Sequence, residues 1–340
     1  MSTLSVRNLT VTLGAAVVVD GVSFDLEPGQ RLGIIGESGS GKTVTALAVM
    51  GLLAPSLRAT GQVLIGDRDL LAMTERQRCE VRGGTMAMVF QEPMTALNPT
   101  MRVGRQIAEA IRAHQRCTRA EAQQRATELL TRVEFTDPAR QARSYPHQLS
   151  GGQRQRVMLA MAIACDPAVI LADEPTTALD VTVQAQMLAL MARLVTEENA
   201  ALVLISHDLA VVSGMCERVM VMYGGHVVES GNTAQVLAAP RHPYTAGLLA
   251  TSAAVSLDSD RTRLEVPYIP GQVPAVGSFP AGCPFRSRCD RATAECAVMP
   301  PIEAVGDHLA ACHHPLGGPA SPQIPASPQI PADLAESGKE

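Results

Sequence analysis

Short apolar runs broken by Gly14, Gly21 and the Pro28-Gly29 pair fill the first thirty residues, a pattern that predicts a small antiparallel sheet. The run Leu32-Gly33-Ile34-Ile35 then reads as a compact buried strand, followed directly by a glycine-rich loop and an apolar helix from Lys42 onward. Between Val103 and Arg132 the period changes. Charged and apolar residues recur at helical spacing around Ile107, Ile111, Leu129, Leu130 and Val133, which predicts amphipathic helices in a helical subdomain over about 92–165. The segments 169–172 (Val-Ile-Leu-Ala) and 202–205 (Leu-Val-Leu-Ile) are continuously apolar rather than alternating. Strands buried on both faces read in this way, so the core of the sheet is expected to be parallel and the class α/β. After about residue 255 the chain turns proline-rich, with Pro267, Pro270, Pro274 and Pro280, and a separate loop-rich extension is expected over 256–318. Residues 319–340 carry a twofold Pro-Ala-Ser-Pro-Gln-Ile repeat and read as a disordered tail.

Composition narrows the class of function. At 340 residues the chain holds about two domains, or one large domain with an extension. The longest charge-free run near the front, Thr43 to Leu57, is shorter than the roughly 20 apolar residues of a membrane-spanning helix. The start, MSTLSVRNLTV, has neither the basic region nor the apolar core of a signal peptide, so the cytosol is the expected compartment. A formal net charge of -5 with only 3% aromatic residues argues against a nucleic-acid binder. Of eight cysteines, Cys79, Cys117, Cys165 and Cys216 are scattered, whereas Cys283, Cys289, Cys296 and Cys312 are clustered. In a cytosolic chain such a cluster points to metal more than to disulfides.

The chemistry sits in ordered motifs. Gly36-Glu37-Ser38-Gly39-Ser40-Gly41-Lys42-Thr43 satisfies G-x-x-x-x-G-K-[ST] between a strand and a helix. There the backbone N–H groups and the helix N-terminus cradle phosphates, Lys42 reaches the β- and γ-phosphates, and Thr43 ligates Mg²⁺. Asp173 and Glu174 end an apolar strand, where open α/β sheets bind ligands. Asp173 is placed to hold the Mg²⁺ shell, and Glu174 to orient or deprotonate the attacking water. Ser150, Gly151 and Gly152, at the start of another helix in Leu149-Ser150-Gly151-Gly152-Gln153-Arg154-Gln155-Arg156, offer a hydroxyl and unshielded N–H groups to a second anion.

That last run resembles the signature sequence of ABC ATPases. The order phosphate loop, Gln91, signature, Asp173-Glu174, Ala178-Leu179-Asp180 and His207 is similar to that family over about residues 1–250, within an ATPase domain expected over 1–255. The resemblance implies a P-loop ABC-type ATPase core with an antiparallel β subdomain and a helical subdomain. It also implies a second ABC ATPase subunit, associated head to tail, so that Lys42, Thr43, Gln91, Asp173, Glu174 and His207 form one half of a site. Ser150, Gly151, Gly152, Gln153 and Asp180 then serve the nucleotide of the partner. Gln91 is implied to contact Mg²⁺ or water and the membrane partner, and His207 the γ-phosphate. One departure from the family is that Val11-Thr12-Leu13-Gly14 offers only Leu13 where an aromatic residue usually stacks on adenine.

Three segments resemble the oligopeptide/dipeptide/nickel importer branch: Phe90 to Pro99, Pro240 to Thr245, and the proline-cysteine extension. The branch implies a paralogous ATPase partner, two transmembrane permease subunits and an extracytoplasmic peptide-binding protein. It places the chain peripherally on the cytoplasmic face of the cell (inner) membrane and implies that ATP hydrolysis powers peptide import. Nickel chelate or another small solute is the alternative cargo; a soluble ABC ATPase of translation or DNA repair is the remote alternative. The spacing C-x5-C-x6-C-x15-C of Cys283, Cys289, Cys296 and Cys312 differs from common zinc folds. By resemblance to the branch these four thiolates ligate a 4Fe-4S cluster. Zinc, with His308, His313 or His314 replacing a thiolate, and unligated thiols remain open at this point.

Overall fold

The computed structural model describes residues 3–92, 96–177, 179–255, 268–306 and 308–317. The strands among them are β1 (Leu4–Leu13), β2 (Ala16–Leu26), β3 (Arg31–Ile35), β4 (Leu57–Ile65), β5 (Arg68–Asp69), β6 (Met86–Val89), β7 (Val169–Asp173), β8 (Ala201–Ile205), β9 (Arg218–Tyr223), β10 (His226–Asn232), β11 (Glu303–Val305) and β12 (His308–Ala310).

The half-buried N-terminal segments pair as an antiparallel sheet in the order β2-β1-β4-β5. It reaches well beyond the first thirty residues, because β4 lies along the whole of β1 with Leu4 opposite Ile65 and Leu13 opposite Leu57. Val6, Leu9, Val11, Val19, Val22 and Val63 bury its inner face. The continuously apolar strands form the second sheet, in the order β11-β12-β10-β9-β3-β8-β7-β6. From β9 to β6 all pairs are parallel. Every residue of β7 and β8 is buried, as strands covered on both faces require.

The amphipathic stretches fold as helices Val103–His114 and Arg119–Arg132, packed with the helix Gly151–Ala162. Thr118 and Glu121 close a capping box at the start of the second helix. Ile107, Ile111, Leu129, Leu130 and Val133 all turn inward into one hydrophobic cluster. Among the described residues no helix is long and apolar enough to cross a membrane.

The cysteine-bearing extension lies on the core. Strand β12 pairs with β10 through Glu229 opposite Ala310 and Ser230 opposite Leu309, covering an edge whose backbone groups would otherwise stand open. His308 Nε2 meets Glu229 Oε1 at 2.6 Å with both side chains buried, and Glu229 also accepts the N–H groups of Arg241 and His242. Rings of Tyr223, Tyr244, Phe279 and Phe285 pack together at the same junction, Tyr223 and Tyr244 with centroids 4.6 Å apart. The tail 319–340, the segment 256–267, residues 93–95 and Ala178 lie outside the described residues.

Candidate nucleotide site

Sheet register alone brings the motifs together. Ile34 of β3 lies opposite Ile205 of β8, and Asp173 of β7 lies opposite the same Ile205. The loop after β3, the carboxylates ending β7 and the histidine after β8 therefore share the carboxyl edge of the sheet, where such sheets bind ligands.

Two glycines fix the path of the loop 36–43. Gly36 has φ 152°, and a Cβ there would stand 2.2 Å from the carbonyl oxygen of Met222. Gly41, at φ 98°, caps the helix Lys42–Val49 without a side-chain hydrogen bond. The first N–H groups of that helix are thus left for an anion to satisfy. Lys42 is 6% exposed, and its Nζ donates to the carbonyls of Gly36 (2.8 Å) and Glu37 (2.9 Å) and to Ser40 Oγ (3.4 Å). Burial lowers the pKa of this ammonium, while Glu174, Asp173 and Glu37 act to raise it.

Thr43 Oγ1 donates to Asp173 Oδ1 at 3.2 Å, so hydroxyl and carboxylate stand side by side as hard oxygen donors of the kind Mg²⁺ takes. Burial raises the pKa of Asp173, and the Thr43 hydrogen bond opposes this. Glu174 is held in a left-handed conformation, φ 45°, by its N–H bond to Ile205 O at 3.0 Å. Such a conformation is costly for a non-glycine residue and is found where a side chain must be aimed. Here Gln91 Nε2 donates to Glu174 Oε2 at 3.2 Å, and His207 Nδ1 lies 3.3 Å from Glu174 Oε1. Gln91, Asp173, Glu174 and His207 thus meet beside Lys42 and Thr43.

The remaining candidates do not join them. Ser150 caps the helix Gly151–Ala162 in a capping box, its Oγ accepting from Gln153 N–H (3.3 Å) while Gln153 Oε1 accepts from Ser150 N–H (3.0 Å). The Gln153 side chain is committed to that cap. Asp180 similarly caps the helix Val181–Glu197, accepting from Val183 N–H at 2.9 Å. A Cβ on Gly152 would come within 2.7 Å of Val183, so the two helix starts pack together. Among the described residues no hydrogen bond joins Ser150, Gly151, Gly152, Gln153 or Asp180 to the phosphate loop.

Three contributors escaped the sequence reading. Thr177 Oγ1 donates to Glu174 Oε2 at 3.0 Å; its place in the run after Asp173-Glu174 was the available signal. Tyr244 Oη accepts the N–H of Glu37 at 2.7 Å, and Arg288 of the extension grips the Glu37 carboxylate. Nothing local in the sequence announces either contact.

Comparison with known proteins gives this geometry its context. Residues 19–177 match the family described as ABC transporter, and residues 228–296 match the C-terminal region of the oligopeptide/dipeptide transporter family. The oligopeptide transport ATP-binding protein OppD of Salmonella typhimurium is 44% identical over 318 residues, 92% of this chain and 94% of that protein. The chain belongs to the oligopeptide/dipeptide branch of the ABC transporter ATP-binding proteins. The dipeptide transport ATP-binding protein DppD of Escherichia coli is likewise 44% identical, over 95% of this ABC ATPase and 100% of its own length. Among solved structures, a dimeric ATP-binding cassette in a post-hydrolysis state with ADP and Pi is 28% identical. Its TM-score is 0.60, and the match spans 68% of this chain and 98% of that one.

Four of the eight thiols of this ABC ATPase, Cys283, Cys289, Cys296 and Cys312, line one small cavity together with His242, His313 and His314. Burial raises the pKa of Cys283 to about 11, and mutual repulsion among the four adds to this. Yet among the described residues no group of three or more His, Cys, Asp or Glu side chains is gathered to hold a metal ion. Tetrahedral zinc, with Zn–S of about 2.3 Å, would draw its sulfurs to within roughly 3.8 Å of one another. The donor set fits a thiolate-ligated centre in kind without closing on the single point that zinc needs.

Proposed function

We propose that this subunit binds ATP with Mg²⁺ in the loop 36–43 and hydrolyses it to power import of oligopeptides or dipeptides through a membrane permease. The observation that carries this reading is the meeting of Lys42, Thr43, Asp173, Glu174, Gln91 and His207 at one edge of the sheet. Lys42 gives up its bonds to the Gly36 and Glu37 carbonyls for the β- and γ-phosphates. Thr43 and Asp173 would hold Mg²⁺, which would supply screening of the charge that develops on the phosphates. Glu174 takes the proton of the attacking water while Gln91 and Thr177 fix its carboxylate and His207 reaches the γ-phosphate. Ser150, Gly151, Gly152, Gln153 and Asp180 contact the nucleotide of a partner ATPase, a paralogue in this reading. Their separation from this chain's own loop is what a head-to-tail pair demands.

The permease subunits dock at an apolar cleft of about 320 Å³ beside Gln91, where Met50, Leu52, Ala87, Met88, Phe90 and Leu97 line the joint between sheet and helical subdomain. The chain sits in that arrangement on the cytoplasmic face of the membrane, with an extracytoplasmic binding protein delivering the peptide. The four thiolates Cys283, Cys289, Cys296 and Cys312 hold a 4Fe-4S cluster, with zinc as the alternative; either would supply a cross-link for a loop-rich segment that has few strands of its own. What supports a shared centre is that the four cysteines line one cavity. Nickel chelate or another small solute is the alternative cargo of this motor.

The test is ATP hydrolysis in membranes containing the chain, its permeases and its partner ATPase, with and without binding protein and peptides. Stimulation by peptide is expected. Hydrolysis indifferent to peptide but raised by nickel chelate would replace the cargo and keep the motor.

A further inference from the structure

The extension reaches the core at the phosphate loop itself. Arg288 lies between Cys283 and Cys289 in the sequence, and its side chain is 5% exposed. Its guanidinium donates from Nη1 to Glu37 Oε2 at 2.6 Å and from Nη2 to Glu37 Oε1 at 3.1 Å. It also donates to Tyr223 Oη at 3.2 Å and, from Nε, to the Pro270 carbonyl at 2.8 Å. Two parallel bonds from a rigid planar fork impose direction as well as attraction. The partner they grip is the second residue of the loop.

Glu37 is thereby held at three points. Its carboxylate faces Arg288, its N–H donates to Tyr244 Oη, and its carbonyl accepts from Lys42 Nζ. The pair joins positions 251 residues apart, so the shape of the loop depends on an element that supplies no phosphate ligand. Neither charge touches the reacting atoms in the hydrolysis described above, although Glu37 also acts on Lys42. Removing one member of such a largely buried pair, with Glu37 25% exposed, leaves the other without its partner.

We propose that Arg288 is a positioning residue for the phosphate loop: from the cysteine-bearing extension it fixes Glu37, and so links docking of the extension to affinity for a nucleoside triphosphate. The inference rests on the reading that residues 36–43 hold the nucleotide. Linkage makes the effect reciprocal, so nucleotide should in turn protect the extension from opening.

The experiment measures binding of a fluorescent ATP analogue to the full chain, and KM and kcat for ATP in the assembled transporter. The chains compared are wild type, Arg288→Gln, Arg288→Lys, Glu37→Gln, the double variant Arg288→Gln/Glu37→Gln, and Lys42→Ala. Arg288→Gln and Glu37→Gln should each weaken binding about tenfold, or about 1.4 kcal/mol. KM should rise by the same factor with kcat little changed, and the double variant should be no worse than either single one. Arg288→Lys should fall between, since it keeps charge and loses the fork. Hydrogen exchange over residues 268–317 should slow on adding nucleotide to the wild type and not to Arg288→Gln. Should Arg288→Gln fail to fold, Glu37→Gln decides alone, because it leaves the Tyr223 and Pro270 contacts in place. A folded variant with wild-type affinity and KM overturns the role of Arg288 if Lys42→Ala has lost binding. Wild-type binding by Lys42→Ala overturns the reading of the loop itself.

Discussion

Replacing Glu174 by Gln removes the proposed base and leaves the site's shape. The amide oxygen still accepts from Thr177 Oγ1, now 3.0 Å from the carboxylate, and the residue keeps its length beside Gln91. Lost are the proton acceptor and the negative charge that faces His207 Nδ1 at 3.3 Å and acts on Lys42. A positioned general base contributes about 10²- to 10⁴-fold, so kcat should fall by that factor, equivalent to roughly 2.7–5.4 kcal/mol of barrier. Binding should persist, because no phosphate ligand has been touched. The assay is single-turnover hydrolysis of γ-labelled ATP, with retention of unhydrolysed ATP on the protein after gel filtration. Expected is slow turnover with ATP retained in paired subunits. Turnover within threefold of wild type would refute Glu174 as the base, and loss of ATP binding would show that its role is structural.

Other outcomes follow from particular contacts. Gly36→Ala would drive a Cβ to 2.2 Å from Met222 O at φ 152°, so it should lower the thermal midpoint by an amount corresponding to about 1–3 kcal/mol and abolish nucleotide binding, read by calorimetry and analogue titration. Thiol alkylation at pH 8, followed by mass spectrometry, should label exposed Cys79 first among the four scattered thiols and Cys216 last of them, since burial pushes that thiol up to about 12. The Asp25 carboxyl is held below its ordinary range by Arg7 first and, after the opposing effect of slight burial, by Ser5. With the folded pKa below the unfolded one, this stabilisation is present above the ordinary carboxylate pKa and lost as pH falls through the folded value. Asp25→Asn should therefore lower the melting temperature slightly at pH 7, and that difference should shrink as pH falls through the acid range.

What the sequence disclosed was what is local. The continuous apolar strands before Gly36 and Asp173 carry their own parallel-sheet signal, and the phosphate loop declares its turn through its glycines. The helical spacing of Ile107, Ile111, Leu129 and Leu130 reads directly as a buried stripe. Once the strands are parallel, register places Asp173 beside the loop without further information. Ser150, Gly151 and Gly152 were legible as an anion site at a helix start; the capping box that Ser150 and Gln153 form within the chain came only with the structure. The Arg288–Glu37 pair was not legible, because a contact 251 residues apart leaves no periodicity in either segment. The pairing of β12 with β10 was hidden for the same reason: His308 to Ala310 is too short to signal a strand by alternation, and the buried Glu229 explains its place only after the fold is known. Cysteine spacing announced four grouped thiols but not how far apart the fold would leave them, since three loops of different length set their places around the cavity.

The central claim, that ATP hydrolysis here drives peptide across a membrane, is met most directly by reconstitution. Proteoliposomes carrying the chain, its permeases and its partner ATPase would be loaded with ATP and Mg²⁺, and a labelled peptide with the binding protein offered outside. Accumulation of peptide that requires internal ATP and disappears with Lys42→Ala is the predicted result. ATP consumed at the wild-type rate with no peptide, of any length tested, entering the lumen would contradict it.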